Sequence, residues 1–163
     1  MKKFYDSTAT SSLPFVLMFS AIAFVLHFSW EYAQCAPFFI HIQNPHNLSA
    51  MISAASGDIL MIWAVFLMIA ARYRSFTWFN DHWNLASKLS IVGLSLVIAV
   101  LVELWAIRTE RWAYTENNPL LPVLGISIIP LIQMALINPI SMFVSRIIFV
   151  SLAKATHNSK ENL

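Results

Sequence analysis

The chain of 163 residues contains one cysteine, Cys35, and three glycines. A single cysteine excludes an intrachain disulfide and any metal site built on a pair of cysteines. So few glycines, with no glycine-rich phosphate loop among them, argue against a nucleotide site. Charge is scarce too. Asp, Glu, Lys and Arg make up 11% of the chain, against roughly 25% in an average soluble domain. The net charge of +2 comes from basic residues at segment ends and points to no nucleic-acid partner. What fills the chain is apolar: 58% hydrophobic residues and a mean hydropathy of +0.66. That leaves too little polar surface to cover a soluble domain. The composition predicts an all-α, polytopic membrane helix bundle lying in a lipid bilayer, a single integral membrane domain over residues 1–163.

About 20 apolar residues cross the hydrocarbon as a helix. Four segments qualify: about Leu13–Cys35, Ser49–Ala71, Ser87–Ile107 and Ile126–Leu152. The first follows two lysines as a signal peptide would, but it ends in WEYAQC without a small-residue cleavage site and reads as an uncleaved span. The last lies in an apolar stretch, Leu120–Ala153, interrupted by Pro122, Pro130 and Pro139. It reads as an interfacial turn at PLLP followed by one long, proline-kinked span; two half-helices are the alternative. Lys2, Lys3, Arg72, Arg74, Lys88, Arg146, Lys154 and Lys160 fall on one side, and only Arg108 and Arg111 on the other. The positive-inside bias then puts both termini in the cytoplasm of a multi-pass protein of the bacterial inner membrane. Trp78, Trp83, Trp105, Trp112 and Tyr114 lie near span ends, where an interfacial aromatic belt is expected.

Within this topology three carboxylates converge. Glu31 lies near the outer end of the first span, Asp58 about 12 Å below the outer surface by helix rise, and Glu103 near the outer end of the third span. Gln133 is expected near mid-membrane, beneath them. An ionised group at the bilayer centre costs at least about 2.5 kcal/mol, so such residues turn toward partners or a cavity. Helical spacing supports inward stripes: Ser20, His27, Glu31 and Gln34; Ser53, Gly57, Asp58 and Met61; Ser95, Ala99, Glu103 and Ala106. Plainer roles stand beside the functional ones. Glu31 is equally suited to pairing with His27 or an arginine at the headgroup boundary, and Glu103 to pairing with Arg108 or Arg111. Small-residue stripes more often serve helix packing than a pocket. His27 and Glu31 share a face, but two ligands do not complete a metal shell, so no metal is expected. The loop RTERWAYTENNPLLP, residues 108–122, is either a solvated connector or a lid over the carboxylates, with Arg111 neutralising them.

The stretch RWAYTENNPLLPVLGISIIPLIQ, Arg111–Gln133, resembles the closing motif of the heterodimer-type lycopene cyclase family. Trp112 and Tyr114 match its aromatic pair, Gly125-Ile126 its Gly-Ile, and Pro130 its following proline. The family's two acids after that proline are replaced by Ile132 and Gln133. Trp30-Glu31 is similar to a Trp-Glu pair in fungal membrane terpene cyclases. The order Trp-Glu, Gly-Asp, Trp-x-Tyr and a late Pro-x-x-Gln also resembles a family of small, uncharacterised bacterial four-helix membrane proteins. The cyclase resemblance implies a helical membrane architecture and non-redox proton chemistry on an isoprenoid or lipid-like substrate, with no cofactor.

If that chemistry operates here, Asp58, Glu31 or Glu103 must supply the proton, because Gln133 cannot act as a carboxylic acid. A carboxyl group in apolar surroundings can stay protonated near neutral pH. The rings of Trp30, Trp63 and Trp105 are candidates to face a carbocation. His27, Trp30, Gln133, Arg111, Trp112 and Tyr114 are the candidate substrate-binding residues. The sequence equally allows a protein that is not an enzyme: a small-molecule or ion transporter, or an accessory subunit with a membrane-protein partner or a second copy of itself.

Overall fold

The computed structural model describes residues 12–41 and 48–161. Four long helices dominate: α1 (Ser12–Phe38), α2 (Leu48–Tyr73), α4 (Leu85–Arg108) and α5 (Ile129–Glu161). Each contains a segment long and apolar enough to span a membrane: Leu13–Phe38, Leu48–Tyr73, Leu85–Arg108 and Ile129–Leu152. The protein is an all-α, four-span integral membrane bundle. The helices close a ring in which α1 touches α2 and α5, and α4 touches the same two.

The prolines after residue 119 have separate jobs. Pro122 lies in a reversal closed by Leu121 N–H to the Ile126 carbonyl at 2.8 Å and Gly125 N–H to the Leu121 carbonyl at 2.8 Å. Gly125 has φ +64°, a left-handed conformation that glycine adopts without strain. Pro130 falls in the first turn of α5, where an N–H has no helical acceptor and proline is tolerated. Ser127 Oγ accepts from the Ile129 N–H there at 3.2 Å. Only Pro139 lies inside α5, which continues past it as one helix and not as two half-helices. The span thus begins at Ile129, three residues later than hydropathy suggests, because the Gly125 reversal uses the preceding residues.

The two ends of the ring differ. The lower end, where α1 starts and α5 approaches its finish, is filled with rings. A short helix, α3 (Trp78–Asp81), tucks Trp78 and Phe79 into the core, both fully buried. Phe79 stacks on Phe15 at 3.6 Å between centroids, and Phe149 meets Phe15 edge-on at 5.8 Å. Trp78 is therefore a core residue here and not part of a lipid-facing belt. Arg146 holds α3 in place by donating from Nε to the Phe79 carbonyl at 2.7 Å. Asn84 caps the start of α4, accepting from the Ser87 N–H at 3.0 Å.

The upper end carries a two-stranded antiparallel ribbon. β1 (Phe39–His41) pairs with β2 (Trp112–Tyr114) in the register Phe39 to Tyr114 and His41 to Trp112. Thr115 Oγ1 donates to the Pro37 carbonyl at 2.8 Å and Asn118 Nδ2 to the Phe38 carbonyl at 2.8 Å, tying the 108–122 loop to the end of α1.

Candidate functional site

The i, i+4, i+7 spacing of His27, Glu31 and Gln34 puts all three on the buried face of α1. Asp58 faces them from α2, and Gln133 and Asn138 face them from α5. Gln133 is at the centre of this group and not beneath it, because α5 starts only one turn above it. Its Nε2 lies 3.1 Å from Glu31 Oε1, 2.9 Å from Asp58 Oδ2 and 3.0 Å from His27 Nδ1.

Hydrogen accounting resolves this crowding. An amide nitrogen has two hydrogens, and three acceptor-type atoms surround it. His27 Nδ1 is also 3.1 Å from Asp58 Oδ2. An imidazole nitrogen and a carboxylate oxygen at that distance attract only with a proton between them, so the His27–Asp58 contact holds one. Gln133 is then left to donate one hydrogen to each carboxylate. The rest of the network closes around this core. Gln34 Nε2 donates to Glu31 Oε1 at 2.8 Å and to Gln133 Oε1 at 3.2 Å. Trp30 Nε1 donates to Gln34 Oε1 at 2.7 Å. His27 Nε2 meets Asn138 Oδ1 at 3.2 Å, and Asn138 Nδ2 donates to Ser95 Oγ on α4 at 2.8 Å. A buried polar network in which each member is partnered fixes side-chain positions.

The carboxylates face open space. A cavity of about 570 Å³ lies against Glu31, Asp58 and Gln133. Its far wall is α4, where Glu103 lines it, so all three carboxylates share one space. Glu103 is buried at 2% exposure, and its hydrogen-bond donor is the Tyr114 hydroxyl on β2 rather than Arg108 or Arg111. Burial and the hydrogen bond to Glu103 push the Tyr114 phenol above its ordinary range, so it stays a donor. Phe39 and Trp112 from the ribbon and Arg111 line the cavity from above. The loop therefore covers the site as a lid would. Arg111 lies 5.0 Å above the Trp105 ring, and the side chain paired with Asp58 is His27 instead, 3.1 Å away.

The expected residues thus divide. Glu31, Asp58, Glu103, Gln133, Arg111 and Trp112 line the cavity. His27, Trp30 and Tyr114 stand behind that lining and hold it through hydrogen bonds. Trp105 presents its ring at the rim. Trp63 instead points to Ser20, donating at 3.0 Å. Ser53 and Gly57 border the cavity, while the buried face of α2 runs through Ala55, Asp58 and Ile62. Asn138 is a member that the sequence reading missed. Its signal was an amide in the apolar run LINPI, five residues beyond Gln133. Neither a family model, nor a curated protein, nor a solved structure matches this chain.

Proposed function

We propose that this integral membrane protein is a non-redox cyclase or isomerase for an isoprenoid or similar lipid chain, related in chemistry to the lycopene cyclases. One observation carries the reading. A single amide, Gln133, holds Asp58 and Glu31 together on the wall of a cavity large enough for a lipid segment. Binding cavities commonly enclose about 300–1,000 Å³. Asp58 is the acid, with His27 behind it sharing its proton; Glu31 is the base.

The step balances. Asp58 gives its proton to one carbon of a carbon–carbon double bond, whose π pair becomes the new C–H bond. The neighbouring carbon is left cationic. Glu31 then removes a proton from the next carbon, and that C–H pair becomes the shifted double bond. If a second double bond attacks the cation first, the same proton loss completes a ring. Glu103 and the Trp105 and Trp112 rings line the same cavity and stabilise the cation. The proton on Glu31 returns to Asp58 by exchange with solvent. The resemblance at Pro130–Gln133 fits this account, because Glu31 and Asp58 reach the Gln133 position from other helices. The packed rings at the lower end put a wall beneath the network, which favours a reaction chamber over a conduit.

Lipid extraction of the purified protein followed by mass spectrometry tests the reading. The expected result is an isoprenoid bound in near-stoichiometric amount; only bulk phospholipid in the extract would refute it. The proposed setting is the bacterial inner membrane with both termini cytoplasmic. A reporter fused after Leu163 should then be active as a cytoplasmic fusion, and a periplasmic signal would reverse that orientation.

A further inference from the structure

We infer that the substrate enters from the bilayer, sideways between α2 and α4, and that Gly57 is the residue that keeps this doorway open and sets the width of chain admitted. The inference rests on the isoprenoid reading above. Gly57 lies in the interior of α2, where glycine lowers helix stability relative to alanine. Nothing in its backbone requires glycine, since among the described residues Gly125 is the glycine with positive φ. Close packing does not require it either. A Cβ built on Gly57 meets no atom within 4 Å. What a side chain would enter is the cavity, which Gly57 lines beside Asp58.

The position of the opening follows from exposure. The cavity rim includes Leu60 on α2, 74% exposed, and Trp105 on α4, 50% exposed. Both face outward from the ring, where the bilayer lies. From above, the cavity meets Phe39, Arg111 and Trp112. Among the described residues, the side facing lipid is therefore the open one. The doorway also constrains the substrate. Beyond it stand three acidic side chains, Glu31, Asp58 and Glu103, while the basic lining residue, Arg111, lies over the Trp105 ring, so the interior offers no net attraction to a phosphate or carboxylate head group. A neutral isoprenoid chain suits both the route and the interior.

Gly93 supplies an internal control. It lies on α4 beside a separate groove with Met68 and Arg72, and its Cβ would also meet nothing within 4 Å. The experiment measures binding of tritiated geranylgeraniol, and of its diphosphate ester, to detergent-solubilised wild type, Gly57→Ala, Gly57→Leu and Gly93→Leu, with thermal melts of each. The inference expects wild type to bind the alcohol and not the diphosphate. It expects Gly57→Leu to weaken alcohol binding at least about tenfold, Gly57→Ala less, and Gly93→Leu to leave it unchanged, with melting temperatures equal or higher throughout. Alcohol binding that survives in folded Gly57→Leu would overturn the doorway and leave the isoprenoid reading standing. If Gly57→Leu does not fold, undiminished binding by Gly57→Ala overturns it likewise. A wild type that binds the diphosphate better than the alcohol would overturn the stated substrate class. A wild type that binds neither would overturn the isoprenoid reading and this inference with it.

Discussion

Gln133→Glu is expected to destabilise the protein by about 3–5 kcal/mol and to abolish ligand binding. The cyclase resemblance alone suggests the opposite, since the change restores one of the family's two acids. Geometry decides between them. Gln133 Nε2 donates toward Glu31 at 3.1 Å and Asp58 at 2.9 Å. A glutamate removes both donors and sets a third carboxylate against two others, within a space that Gln133 fills at 1% exposure. Like charges so close cannot all ionise, so the variant must take up an additional proton or rearrange. Thermal melts in detergent, with retention of the bound lipid, measure both losses. A variant as stable as wild type that keeps its lipid would contradict the central role given to the Gln133 amide.

The reason Gln133 was legible only in part lies in what sequence can encode locally. Apolar run length identified four spans, because crossing the hydrocarbon imposes a length on each helix. Periodicity placed His27, Glu31 and Gln34 on one face, and their partners followed from the antiparallel order of the spans. The depth of Gln133 depended on where α5 begins, and that is set by the Gly125 reversal rather than by hydropathy. α3 and the β1–β2 ribbon were not foreseen. Each has only three or four residues and is held by tertiary contacts such as Arg146 to Phe79 and Thr115 to Pro37. Trp78 illustrates the limit: a tryptophan at a span end suits a belt or a core equally, and only the fold of the 74–84 segment buries it. Asn138 was overlooked because its partners, His27 and Ser95, come from two other helices.

Asp58→Asn is expected to leave the bundle folded and to lower turnover by about 10²–10⁴-fold, the usual contribution of a positioned general acid. The substitution keeps size and hydrogen-bonding capacity. The new amide's oxygen can take the place of Asp58 Oδ2, accepting from Gln133 Nε2 at 2.9 Å and from an Nδ1–H of His27 at 3.1 Å, and a neutral amide needs no counter-charge in an apolar setting. Stability should therefore hold while proton delivery stops. Glu31→Gln should behave in the same way, since it removes the base but keeps an acceptor for Gln34. Lipid content, melting temperature and product formation, followed together, separate this outcome from simple unfolding. If the carboxylates serve only packing, both amide variants will retain wild-type turnover.

Proton transfer to carbon is the central claim, and hydrogen isotope exchange tests it most directly. Membranes containing the wild-type protein are incubated in deuterium oxide, and the isoprenoid fraction is analysed by mass spectrometry beside membranes containing Asp58→Asn. The account predicts carbon-bound deuterium in the isomerised or cyclised lipid made by wild type, one atom for each protonation, and none above background in the variant. An isoprenoid that binds wild type but gains no carbon-bound deuterium would contradict it and leave a binding protein in place of an enzyme.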